Sequence, residues 1–156
     1  MTAASVDHTS PRPPRRLILA SLLAASLAGG AVLLGTMGYV TAPATDSFRF
    51  ARSTVFADGE EDRLRAFLLT AVQDERVKVV IVGHSGTAGD TEANQQLSLS
   101  RAEAAGQIAV SLGITPERLT TVGLGGAAPL MQAEGVSDRA WQVQLARVDV
   151  TLQVRR

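Results

Sequence analysis

The chain has 156 residues, room for one domain and an appendage. Its 15 Lys and Arg balance 15 Asp and Glu, so no basic field argues for nucleic acid as a partner. Cysteine is absent, which excludes disulfides and thiolate chemistry but does not fix the compartment.

Residues 1–16 are polar and proline-rich without periodicity, a pattern that predicts a disordered tail ending in Arg15-Arg16. Residues 17–40 carry no charge and are mostly apolar. At about 1.5 Å per helical residue this stretch reaches roughly 36 Å, enough to cross a hydrocarbon core of about 30 Å. Arg12, Arg15 and Arg16 precede it and the next basic residue is Arg49, so the positive-inside rule leaves the tail in the cytoplasm and sends the rest outward. A cleaved signal peptide is the other reading, with Ala42-Pro43-Ala44 as its A-x-A site. The apolar run exceeds a usual h-region and favours an uncleaved single-pass transmembrane helix; its four glycines pull the other way. Ser21, Ala25 and Gly29 recur at four-residue spacing, the kind of small-residue face on which membrane helices pair, so the span offers a route to a homo-oligomer or a membrane-complex partner. It holds no acid, unlike the span of flagellar-stator proteins of similar layout, which carries an Asp for proton transfer.

Residues 41–47 read as a linker, and the domain is expected over 48–156. Phe48-Arg49-Phe50 alternates like a strand. The acids at 58–62 suit a helix N-terminus, where the dipole favours negative charge, and Leu64, Phe67, Leu68, Ala71 and Val72 continue at helical spacing to about residue 75. The β-branched run at 79–82 predicts a buried strand, ended by Gly83-His84-Ser85-Gly86. From about Glu92 the period becomes helical, with Leu97, Ala104, Ile108 and Leu112 on one face. Arg101 falls on that same face. A guanidinium cannot shed its charge, so something acidic is expected to meet it, a side chain or a ligand. Gly113 is placed to end the helix, Leu119 to Val122 form a short strand, and residues 137–142 suggest a helical turn. Val148, Val150, Leu152 and Val154 then alternate as a half-buried strand.

Enzymatic patterns fail on inspection. Gly83-x-Ser85 begins like a nucleophile elbow, but position 87 is Thr and the only other histidine is His8 in the tail. Gly123-x-Gly125-x-x-Ala128 follows a strand, yet Pro129 and a loop-like composition come next, not a helix N-terminus for a pyrophosphate. No His/Cys/Asp cluster has metal-ligand spacing. Neither an enzyme nor a cofactor is expected. Trp141 reads as a packing residue and His84 as a hydrogen-bonded histidine at a strand end.

A strand ending in GHSG, followed by a helix opening on Asn94, Leu97, Ser98, Arg101 and Ala102, resembles the OmpA-like periplasmic domain. Gly113-Ile114, Gly123-x-Gly125 with Pro129, and Arg147-Val148-Asp149-Val150 extend the resemblance from about Ser47 to the C-terminus. It implies an α/β two-layer sandwich in the order β-α-β-α-β-β behind one transmembrane helix, set in a bacterial inner membrane with its C-terminal domain in the periplasm. It also implies non-covalent attachment to peptidoglycan, in which the matching arginine grips the carboxylate of diaminopimelate and the Asp of a GHTD strand end holds its ammonium. A guanidinium fork meets a carboxylate with two charge-assisted hydrogen bonds. This chain keeps Arg101 but has Ser85 at the Thr place, Gly86 at the Asp place and Gly126 at a family Glu. The expected ligand residues are therefore Arg101, Ser85 and Asn94, with Asp90 a candidate for the missing anion. The alternative is a diverged domain that serves as an accessory or protein-interaction subunit of an inner-membrane complex.

Overall fold

Alternation at the C-terminal end builds the strand at the centre of the molecule. The computed structural model describes residues 43–154. In it β5 (Arg147–Val154) runs antiparallel to β1 (Ala44–Arg52) on one side and to β3 (Val77–Gly83) on the other. β3 pairs in parallel with β4 (Leu119–Gly123), and β1 carries the short β2 (Val55–Phe56), giving a five-stranded sheet in the order β2-β1-β5-β3-β4. A parallel pair needs a crossover, and α2 (Thr91–Ser111) supplies it. α1 (Glu60–Val72) connects β2 to β3, and a short α3 (Asp138–Gln144) precedes β5.

The core lies between one face of the sheet and α1 and α2. Phe48 and Phe50 of β1, Val77, Val79 and Ile81 of β3, and Val148, Val150 and Leu152 of β5 meet Leu64, Leu68 and Ala71 of α1 there, all buried. The first turn of α1 is acidic as expected, but Glu60 is buried and pairs with Arg49 and Arg63. Arg118 holds the other end of α1 in place, donating to the carbonyls of Ala71, Asp74 and Val77.

Two expectations need correction. β1 begins at Ala44, so residues 44–47 of the expected linker belong to the sheet. Cross-strand hydrogen bonds hold them, Thr45 Oγ1 to Thr151 Oγ1 at 2.9 Å and Ser47 Oγ to Asp149 at 2.7 Å. The buried face of α2 is also rotated from the expected Leu97/Ala104/Ile108/Leu112 stripe: Ile108 is buried, as is Arg101 of the same face, together with Ser98, Ala102, Ala105 and Ala109, but Leu97, Ala104 and Leu112 are only half-buried. Small side chains let this helix sit close on the sheet, so its inward face is not its most hydrophobic one. Among the described residues no helix is long and apolar enough to cross a membrane; the tail at 1–16 and the span at 17–40 lie outside them.

Candidate functional site

Gly83 and Gly123 lie side by side where β3 and β4 end. A Cβ on Gly83 would stand 1.8 Å from the Ser98 carbonyl oxygen, and one on Gly123 2.5 Å from the Leu99 nitrogen. Only glycine lets the helix backbone rest on the strand ends at that distance. Ser98 secures the contact, its Oγ accepting from Gly125 N at 2.8 Å and donating to Gln95 O at 2.7 Å. One turn further along α2, Arg101 is thereby delivered to the end of β3.

Arg101 is 4% exposed. Nε donates to Ser53 O at 2.7 Å and Nη1 to His84 O at 2.9 Å, and the guanidinium lies 5.3 Å from the centre of the Phe50 ring. Ser53, in the β1–β2 turn, has a positive φ of 43°, which few non-glycine residues adopt. Among the described residues no carboxylate pairs with Arg101, and Nη2 has no partner. The acid expected at this position is thus not a side chain of the domain; two backbone carbonyls and a ring face take its place. Burial pushes the pKa of the guanidinium below its ordinary value, yet an arginine keeps its charge in a protein. What remains is a buried, positioned cation lacking a counter-ion, on the wall of a cleft of about 410 Å³. Phe50, Leu97, Arg139, Gln142 and Val143 form other parts of the wall.

The other expected site residues are placed elsewhere. Asp90 caps α2, accepting from Ala93 N at 2.7 Å, and makes no contact with Arg101. Asn94 donates to Ala88 O at 2.8 Å and lines a second depression, which shares Gly86 with the cleft. Ser85 is buried; its N donates to Gly125 O at 2.9 Å, and its hydroxyl reaches only the neighbouring Gly86 carbonyl, at 3.3 Å. Asp90 and Asn94 therefore shape the loop and the helix start, and Ser85 joins the two loops that follow β3 and β4.

Gln142 was not singled out in the sequence, and it is central. Its Oε1 accepts from Thr87 N at 2.9 Å and its Nε2 donates to Thr87 Oγ1 at 2.7 Å, tying α3 to the loop after β3. A Cβ on Gly86 would stand 2.5 Å from that Oε1. A Cβ on Gly126 would stand 2.6 Å from the Gly86 carbonyl oxygen. The two loops thus close on each other through two glycines, with a neutral amide where a side chain at 86 would begin. Arg139, Gln142, Val143 and Ala146 recur at i, i+3, i+4 and i+7 and all line the cleft, a helical period that could have revealed α3 and this wall.

A second polar cluster lies beneath. Asp149 of β5 accepts from Arg147 Nε at 3.1 Å, Arg147 Nη2 at 3.2 Å and Ser47 Oγ at 2.7 Å, and His84 Nε2 is 3.0 Å from its other edge. Burial alone would raise the pKa of this carboxyl. The contacts with His84 and Ser47 and the charge of Arg147 outweigh it and hold the group at about 2. Arg147 also donates to Ala128 O at 3.3 Å, fastening the loop after β4.

The OmpA family model matches residues 48–141. Outer membrane porin F of Pseudomonas fluorescens is 32% identical over 95 residues, which cover 60% of this chain and 28% of that protein. The peptidoglycan-associated lipoprotein of Burkholderia pseudomallei superposes with a TM-score of 0.58 at 26% identity, over 70% of this chain and 89% of that one. The periplasmic domain of Helicobacter pylori MotB superposes with a TM-score of 0.59 at 12% identity, over 76% of this chain and 80% of that one, a likeness of fold alone. With this family match over more than half its length, the chain belongs to the OmpA family.

Proposed function

We propose that the domain is a periplasmic binding module, not an enzyme, and that it holds its chain to peptidoglycan non-covalently through the stem peptide. The membrane-spanning reading of residues 17–40 makes it an inner-membrane anchor for that contact. The carrying observation is Arg101: buried, aimed by two backbone carbonyls, and, among the described residues, without a carboxylate partner and with Nη2 unpaired on the wall of an open cleft. A buried charge lacking an anion is costly, and a bound carboxylate would repay that cost. The likeness to a peptidoglycan-associated lipoprotein at 26% identity supports the same reading. The test is sedimentation of the detergent-solubilised full chain with purified sacculi. Wild type is expected to pellet with them and Arg101→Ala to stay in the supernatant at equal folded content; equal pelleting of both would refute the assignment.

A second reading has its own observation. The loops after β3 and β4 close through Gly86 and Gly126, where by resemblance the family carries an Asp and a Glu. Under this reading the cleft has given up its ligand and the domain serves as an accessory or protein-interaction subunit of a membrane complex. Failure of the wild-type chain to sediment with sacculi would favour it.

A further inference from the structure

Among the described residues, two arginines, Arg101 and Arg139, line the cleft and no acid does. A zwitterionic amino-acid head needs an anion as well as a cation, and here the anion's place is taken by the amide of Gln142. Its Oε1 stands 2.5 Å from where a Cβ on Gly86 would be, held by a single bond from Thr87 N. A carbonyl-type oxygen has two lone pairs, so a second neutral N–H can still be accepted. An ammonium would meet two guanidinium charges with only a neutral dipole to offset them. An amide N–H would meet the remaining lone pair and carry no charge.

From these placements we infer that the cleft selects a carboxylate whose neighbouring nitrogen is acylated and rejects one beside a free ammonium. The inference rests on the peptidoglycan reading above and names its substrate class. Arg101 Nη2 would donate to the carboxylate, Arg139 at the rim would add positive charge, and Gln142 Oε1 would accept from the amide N–H. Phe50, Leu97 and Val143 give the cleft its apolar walls. Three parts of a stem peptide have this chemistry: the C-terminal residue, the α-carboxylate of the γ-linked glutamate, and a diaminopimelate whose distal amine has been consumed in a cross-link.

The experiment is calorimetric titration of three tetrapeptide muropeptides into the detergent-solubilised full chain. One has the diaminopimelate distal amine free, one has that amine acetylated, and one has the C-terminal carboxylate amidated. Acetylation is expected to tighten binding about tenfold or more, since it removes one like charge from the cleft. That result assigns the site to cross-linked diaminopimelate. Binding indifferent to acetylation but lost on amidation supports the inference with the C-terminal residue as its source, and binding indifferent to both changes supports it with the glutamate α-carboxylate as its source. Binding weakened by acetylation overturns the inference while leaving the peptidoglycan reading intact. Binding of sacculi without any muropeptide overturns the inference alone, and binding of neither overturns both. Gln142→Glu keeps the shape and the Thr87 contact while installing an anion, so it is expected to shift preference at least tenfold toward the free-amine form. An unchanged preference in that variant, with folding verified by circular dichroism, also overturns the inference.

Discussion

Asp149→Asn tests the polar cluster beneath the cleft, because it deletes one charge and almost no volume. In the native protein that carboxylate receives Arg147 on both oxygens and Ser47 on one. The Arg147 side chain is 7% exposed and that of Asp149 26%. Arg147 Nη1 is already buried without a partner among the described residues, so its charge depends on Asp149. Breaking a fully buried pair costs about 3–5 kcal/mol; partial exposure and the oxygen that Asn retains reduce this to about 2–3 kcal/mol. The pH dependence follows from the depressed pKa. Asp149 falls from its ordinary 3.8 to about 2, so its contribution is complete above pH 3.8 and is lost as pH falls through about 2. After discounting for solvent on the exposed edge, that window carries about 1 kcal/mol. Urea unfolding of both proteins at pH 7, then at steps down to pH 2, reads both quantities. The gap between them should narrow below pH 4, because Asn has no proton to gain. A loss under about 0.5 kcal/mol at pH 7, or a gap constant down to pH 2, would refute the claim that this carboxylate neutralises Arg147.

Three further substitutions have expected outcomes. Ile108→Ala on the buried side of α2 should cost about 2–5 kcal/mol in chemical denaturation, and a loss under about 0.5 kcal/mol would mean the helix sits in another register. Arg118→Ala unbinds three carbonyls around the end of α1 and should cost about 1.5–3 kcal/mol, with faster amide exchange at residues 71–77 as its local signature. Gly86→Asp meets no left-handed backbone, since Gly86 is not among the residues with positive φ, but its Cβ must displace Gln142 Oε1. Losing the two Gln142–Thr87 hydrogen bonds should cost about 1–2 kcal/mol by thermal or urea unfolding, and a loss above about 4 kcal/mol would mean that the loop backbone, not the glutamine, gives way.

The frame was legible because its signals are periodic. Alternation at 148–154, the β-branched run at 79–82 and the helical stripe at 64–72 each reported a buried face directly, and the spaced GHSG and N-x-x-L-S-x-x-R-A motifs gave the topology. The inward face of α2 is only partly legible, with Ile108 and Arg101 on it, because apolarity is a poor guide where close approach decides packing. Ala102, Ala105 and Ala109 bury less area than leucines would, but Gly106 and those alanines let the helix sit on β3 and β4. Arg101 was found from its position on that helix and its partners were not, because backbone carbonyls leave no trace in residue identity. Asp90 looked like a free anion for the same reason: a capping carboxylate and a ligand carboxylate are the same letter. The wall made by Arg139, Gln142 and Val143 was missed behind the glycines and polar residues that surround α3.

Gly86 and Gly126 are better understood as one feature than as two separate departures from the family pattern. Each would be tolerable alone if the loops stood apart, since neither needs a positive φ. They do not stand apart: the Gly86 carbonyl oxygen occupies the space a Cβ on Gly126 would need, at 2.6 Å, and the Thr87 Cα lies 3.0 Å from the same point. Those contacts are backbone, which cannot swing aside as Gln142 can. A side chain at 126 therefore requires the loop after β3 to move, and moving that loop breaks its bonds to Gln142 and the Ser85–Gly125 contact. A side chain at 86 requires only that Gln142 rotate. Recovery of an acidic side chain is thus cheap at 86, in the cleft, and expensive at 126, which lines the second depression. That asymmetry makes the neutral amide of Gln142 the element that sets what Arg101 can hold.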